Sequence, residues 1–290
     1  MNEEFPTMPD ARQLRLWIFG FQISQAIHVA ARLGIAEHID QHPVSLEHLA
    51  QACGCPADGL QRLLRALCGI GLFAEQDDGF VHAGASELLR RDHPQSQYLA
   101  ASLYGAEHYA SWGDLYQAVR LGDPVFEQRH GQPYYQYLER RASQPGIHAD
   151  YLAADAAAQE RAIQAVCDLG DGARVARVEH TEQAPPPAAD LYLLTHQLHR
   201  LDDDQARALL RRCAEAMAPD SRLLLVELMF TPGNGFDAAR WLDLNNLLIG
   251  PGRERDQAHY LALARDSGLA LGESHRLANG MTLLDLRLTR

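Results

Sequence analysis

Residues 173–229 read ARVARVEHTEQAPPPAADLYLLTHQLHRLDDDQARALLRRCAEAMAPDSRLLLVELM, and this stretch decides the fold. ARVARVE and DLYLLTH are short apolar runs of strand character, DDDQARALLRRCAEAM has helical spacing, and RLLLVELM is again a strand. Alternation of this kind predicts an α/β domain whose sheet starts parallel, with Pro219 and Asp220 marking the helix-to-strand turn. Only eleven residues, His180 to Asp190, separate the first strand from the second, and three of them are consecutive prolines. Prolines lack amide donors and favour an extended path, so this connection should cross as a strap, not as a crossover helix. The sheet is therefore expected to lack one flank. DLGDG at 168–172 spells like a phosphate-binding glycine loop, but ERAIQAVC before it reads as helix, which makes Gly170 a helix-terminating glycine.

The rest of the chain fits an ordinary globular protein: 290 residues, 47% apolar and 22% charged. Net charge is −12 and all 26 cationic side chains are Arg, which argues against a nucleic-acid partner. Five cysteines without a C-x-x-C pair indicate neither a disulfide framework nor a zinc knuckle, and suit a reducing cytoplasm. The N-terminal MNEEFPTMPDARQ has no apolar core of a signal peptide, and no later run is long enough to span a membrane. A soluble, cytoplasmic protein is expected.

Upstream, LRLWIFGFQISQAIHVAARLGIAEHI from Leu14 to Ile39 reads as one long apolar helix that needs a partner surface. Ser45 is a plausible N-cap for the next helix, Ala57 to Leu72 repeats the pattern, and LFAEQDDGFVHAG is a hairpin signal with an Asp-Asp-Gly turn. These predict a mainly α winged-helix module over residues 1–105, used for dimerisation, before a helical linker and α/β domain over 106–290. Tyr104, His108, Tyr109, Trp112, Tyr134, Tyr135 and Tyr137 lie in the linker helices, where core packing competes with pocket lining.

These segments together resemble the small-molecule O-methyltransferases of the plant caffeate and bacterial antibiotic-biosynthesis type. The resemblance is carried by VSLEHLAQACGCPADGLQRLLRALCGIGLF, GAEHYASWGDLYQAV, LYLLTHQLHRLDDDQARALLRRCAEAMAPDSRLLLVELM and GPGRERDQAHYLALARDSGL. It implies a homodimer formed through the winged-helix domain, a Rossmann-like C-terminal domain, and a histidine base flanked by two acids. By motif these are His199, Glu227 and Glu254, with Tyr104, His108, Tyr109, Trp112 and Asn246 assigned to the acceptor pocket. The family's strand-end His-Asp-Trp-x-Asp is replaced here by His199-Arg200-Leu201.

The cofactor half departs further. A site for S-adenosylmethionine in this architecture uses glycines after the first strand and an acid ending the second. The stretch His180–Asp190 holds neither, so the sequence predicts no cofactor, with S-adenosylmethionine retained only if the deletion is compensated. The expected C-terminal fold is thus a truncated Rossmann-like methyltransferase sheet. The expected function is cofactor-free acid–base catalysis, such as cyclisation or isomerisation, on a small aromatic or polyketide-like metabolite. The alternatives are a non-catalytic dimer partner or metabolite-binding regulator, and a genuine O-methyltransferase with a rebuilt cofactor site. No metal is expected, because strand alternation would send His196 and His199 apart unless a helical turn begins between them.

Overall fold

The computed structural model describes residues 11–139, 147–167, 169, 172–181 and 184–289. The backbone divides into two compact units, Met1–Ala110 with Gly146–Tyr151 and Ser111–Pro145 with Leu152–Arg290. Gly170 is outside the described residues, as is the question of whether it ends the helix before it.

In the first unit the long N-terminal helix is broken: α1 covers Ala11–Ile18 and α2 covers Gly20–Leu33, followed by a 3₁₀ turn at Ile35–His38. The apolar periodicity runs on through residue 39, but Gly34 ends the helix in the left-handed conformation (φ 66°), donating back to Ala30 and Ala31. α1 buries none of its residues, and Leu14, Leu16, Trp17, Ile18, Phe19, Phe21 and Ile23 stay exposed. α3 (Leu46–Ala52) is capped by Ser45, whose side chain accepts from the His48 amide, and α4 (Ala57–Cys68) stops short of the glycines at 69 and 71. β1 (Phe73–Gln76) and β2 (Gly79–His82) form the antiparallel wing, with Val44 bridging to Phe80. Gly79 is required there: at φ 142° a Cβ would lie 2.2 Å from the Val44 carbonyl oxygen. Leu49, Leu60, Leu64, Leu67, Phe73 and Phe80 form the core beneath the wing. The unit continues through α5 (Tyr98–Leu103) and a π-turn at Tyr104–His108 into α6 (Tyr109–Trp112).

The second unit opens with α7 (Leu115–Leu121), α8 (Phe126–His130) and α9 (Tyr134–Glu139), continues with α10 (Ile147–Gln164), and then forms a five-stranded sheet. Its strands are β3 (Val175–Arg177), β4 (Leu191–Thr195), β5 (Arg222–Glu227), β8 (Leu269–Arg276) and β9 (Thr282–Leu288), in the order β3-β4-β5-β9-β8. β3, β4 and β5 are parallel and β9 is antiparallel to both its neighbours. α11 (Asp203–Ala216) crosses from β4 to β5; β6 (Met229–Phe230), α12 (Ala238–Ile249), β7 (Arg255–Asp256) and α13 (Gln257–Arg265) lie between β5 and β8. β4 and β5 read LYLLT and RLLLVE, near-continuous apolar runs, because both faces are covered. Tyr192, Leu194, Leu223 and Leu225 pack on α11 and α13, while Leu191, Leu193, Leu224 and Val226 face Ile163 of α10.

β3 is the sheet's edge, and among the described residues no helix or strand lies between it and β4. The strap is pinned at both ends. His180 Nδ1 meets Gln197 Oε1 at 2.6 Å, and Arg174 clasps Asp190 through its guanidinium and its amide, holding that carboxyl down to about 2. Between them, residues 185–189 run without regular structure. Ala189 is fixed by the Tyr192 hydroxyl and by Ser221 Oγ.

Candidate active site

The site lies where β4 and β5 end. β4 stops at Thr195, and His196 takes a left-handed conformation (φ 55°), among the described residues the one non-glycine with positive φ. A 3₁₀ turn at Leu198–Arg200 follows at once. This reverses the expectation that His196 and His199 diverge: alternation holds only while the strand lasts, and the turn stacks the two rings with centroids 3.9 Å apart.

Glu227 is the last residue of β5 and wholly buried. Its Oε1 accepts from the Gln197 amide (2.9 Å) and the Leu198 amide (2.6 Å), and its Oε2 meets His199 Nδ1 at 3.3 Å. Burial pushes Glu227 up, but the His199 bond, the two histidines and the Leu198 amide outweigh it and keep the carboxyl ionised below its ordinary range. His199 is lowered as well, but here burial is the main cause: reinforced by His196, it lowers the imidazole to about 4 against the pull of Glu227. The resting pair is a neutral imidazole donating Nδ1–H to a carboxylate, which leaves Nε2 as its basic atom.

Glu254 reaches the same place by a different route. The short parallel pairing of Met229 with Arg255 brings the 251–256 segment against the end of β5. α12 presents Asp243 and Asn246, one turn apart: Asp243 accepts the Glu254 amide at 2.8 Å, and Asn246 donates to Glu254 Oε1 at 3.3 Å. Burial, then the Glu227 charge and that of Asp243, raises the Glu254 carboxyl to about 9. Its Oε2 is buried with no hydrogen-bond partner. Gly252 fits beneath because it has no side chain; a Cβ there would stand 2.1 Å from the His199 carbonyl oxygen.

Arg255 is the member that sequence reasoning missed. It is 1% exposed; it pairs with Asp203 at the start of α11 and donates to the carbonyls of Leu198, Leu201 and Arg253. Two of those partners, Leu198 and Leu201, flank His199, so Arg255 ties the histidine-bearing turn to α11 and β7. GRER gave only a charged tetrapeptide, with no sign of which arginine turns inward.

The acceptor-pocket expectations separate. Trp112 donates from its indole to Asn245 Oδ1 at 3.2 Å and lies 6.4 Å from the Trp241 ring, while the neighbouring Asn246 serves Glu254. Tyr134 and Tyr137 pack edge-on against Phe126, a core cluster. Tyr104, His108 and Tyr109 belong to the first unit, where Tyr104 and His108 stack at 4.5 Å on the π-turn and the Tyr109 side chain is partly exposed.

Beyond the carboxyl ends of β3 and β4 lies a cavity of about 250 Å³, lined by Gln159, Ile163, Leu169, Glu179, Leu193 and His196 among others. A nucleotide-type ligand of a parallel sheet binds at that end of the strands. An apolar wall of Ile163, Leu169 and Leu193 suits a purine, and Glu179, two residues past β3, is an acid placed for hydroxyls. The residues after β3, Val178-Glu179-His180-Thr181, contain no glycine. The side chains that line this cavity could hold a nucleoside part.

Two family models match: an O-methyltransferase dimerisation domain over residues 16–92 and an O-methyltransferase domain over 162–270. The chain is 27% identical to phenazine O-methyltransferase PhzM of Lysobacter antibioticus, with 99% of this chain and 98% of the relative covered. It is 28% identical to the mitomycin biosynthesis 6-O-methyltransferase of Streptomyces lavendulae, covering 87% and 86%. The former alignment spans 336 positions against a chain of 290, so the relative has stretches with no counterpart here. Among solved structures, LaPhzM superposes with a TM-score of 0.87 at 25% identity, covering 97% of this chain and 100% of that one. Human N-acetylserotonin methyltransferase, solved with S-adenosylmethionine, shares the fold at a TM-score of 0.87 and 20% identity, covering 99% and 100%.

These findings correct two expectations. The absence of a cofactor does not stand, since the relatives matched along nearly their whole length are methyltransferases and a protein of this fold was solved with S-adenosylmethionine. Cofactor-free catalysis as the protein's main activity falls with it. The two domain models together cover more than half of the sequence, and the chain belongs to the small-molecule O-methyltransferase family.

Proposed function

We propose that the protein is an S-adenosylmethionine-dependent methyltransferase that modifies a hydroxyl group of a small aromatic metabolite, with His199 as the general base. The observation that carries this is the buried His199–Glu227 pair, whose ring is oriented by a carboxylate and whose Nε2 is left for the acceptor. Bound S-adenosylmethionine supplies an electrophilic methyl group; the chain's task is to raise the nucleophilicity of the acceptor oxygen. Nε2 of His199 takes the acceptor's proton, and the Glu227 carboxylate 3.3 Å from Nδ1 stabilises the imidazolium that results. Glu254, kept protonated by its buried neighbours, donates a hydrogen bond that orients the acceptor oxygen. Glu179 and the apolar wall beside it are assigned to the nucleoside in a rebuilt cofactor site.

The relatives act on phenazine and mitomycin scaffolds by their names, and the Trp112–Trp241 pair offers aromatic faces in the same unit as the base, which supports an aromatic acceptor. The exposed apolar face of α1 and α2, within a matched dimerisation domain, supports a homodimer. The experiment is transfer of labelled methyl from S-adenosylmethionine to a panel of phenolic aromatics by the wild type and by His199→Ala. Methyl transfer that depends on His199 is expected; transfer unaffected by the substitution would remove the histidine from the reaction.

A further inference from the structure

The geometry points to a binding site for a single divalent transition-metal ion, zinc-like in its preferences, formed by His196, His199 and Glu254. One ring nitrogen from each histidine and one carboxylate oxygen of Glu254 lie within 4.8 Å of one another. Tetrahedral zinc takes imidazole and carboxylate ligands at about 2.0–2.2 Å, so small side-chain movements close the set around an ion. Two imidazoles with one carboxylate is a donor set that favours zinc and its first-row neighbours over magnesium or calcium.

Two further features belong to a metal site. Glu254 is 3% exposed and its Oε2 is buried with no hydrogen-bond partner, an unsatisfied polar atom of the kind a bound ion would engage once its proton is displaced. His199 directs its Nδ1 to Glu227, the outer carboxylate that metal-bound histidines commonly have, which leaves Nε2 as the ligand atom. His196 also lines the cavity of about 250 Å³, which provides an entry path from solvent. The buried cation nearest in sequence, Arg255, directs its hydrogen bonds to Asp203 and three carbonyls and donates none to Glu254.

The consequence for catalysis rests on the reading of His199 as the base. An ion on His199 Nε2 occupies the atom that takes the acceptor's proton, so metal loading and methyl transfer exclude each other, and the ion is a reversible inhibitor.

The test is titration of chelator-treated full-length protein with Co²⁺, without S-adenosylmethionine or acceptor, read by ligand-field absorption in the visible. One equivalent per chain should develop the band, and Zn²⁺ should displace it. His196→Ala and Glu254→Gln should each weaken binding at least tenfold while far-ultraviolet circular dichroism stays that of the wild type. Should one of the two fail to fold, the other carries the result. No stoichiometric band in the wild type, or a band unchanged in the folded variants, would overturn the site. The titration involves no methyl transfer, so failure of the methyltransferase reading leaves it intact; the inhibition claim alone is checked by recovery of turnover on chelation.

Discussion

Replacing Glu254 by Gln should change how stability varies with pH more than it changes stability at any one pH. In the native protein burial and the Glu227 charge hold the Glu254 carboxyl protonated up to about 9. In the unfolded chain a glutamate ionises near 4.3. Between those values the native state binds one more proton than the unfolded state, so stability from this group is complete below about pH 4 and is lost as pH rises toward 9. Each pH unit in that window costs about 1.4 kcal/mol, so the step from pH 6.5 to 8.0 costs about 2 kcal/mol. Gln mimics the protonated acid, keeps an oxygen for Asn246, and cannot titrate. His199 works in the opposite sense: its depressed value of about 4 means that stability is lost as pH falls from about 6.5 to 4, a change nearly complete above 6.5 and common to both proteins. The assay is urea unfolding with chelator present, at pH 6.5 and 8.0, followed through the fluorescence of the three tryptophans, Trp17, Trp112 and Trp241. The wild type should lose about 2 kcal/mol more than Glu254→Gln between the two values. Parallel losses would mean that Glu254 is ionised in the folded protein, and the protonated donor in the mechanism would be wrong.

Three other outcomes follow from the same contacts. His199→Ala should lower kcat by about 10²- to 10⁴-fold with little change in S-adenosylmethionine affinity, measured by single-turnover kinetics and calorimetry. Arg255→Met strips the partner from three carbonyls and from Asp203, and should destabilise the second unit by about 3–5 kcal/mol in urea unfolding. Trp17→Asp with Phe21→Asp places charge on the exposed apolar face of α1 and α2, and should convert dimer to monomer in light scattering without unfolding the first unit.

Much of the fold was legible where a local rule and the final contacts agree. Ser45 caps its helix, Asp77-Asp78-Gly79 turns the wing, and the apolar runs 191–195 and 222–227 are adjacent parallel strands. The three prolines do run as a strap between pinned ends. Misreadings arose where one periodicity was carried past the point at which the backbone changes. Helical spacing continues across Phe19, so the break between α1 and α2 left no mark in the pattern, and strand alternation was extended beyond Thr195 to separate two histidines that a left-handed residue and a 3₁₀ turn stack together. His199, Glu227 and Glu254 came from motif resemblance, and the structure brings all three to one place. Arg255 could not have come that way, because a buried arginine is recognised only by what surrounds it. The cofactor expectation failed for a related reason: it looked for one way of holding a nucleoside, glycines following the first strand, whereas a cavity such as the one beside Glu179 depends on the folded arrangement.

The central claim meets its most direct test in equilibrium binding of S-adenosylmethionine, by calorimetry on the metal-free wild type and on Glu179→Ala. The account predicts saturable binding of one molecule per chain, weakened at least tenfold by the substitution and unaffected by His199→Ala. Absence of saturable binding by the folded wild type would contradict it.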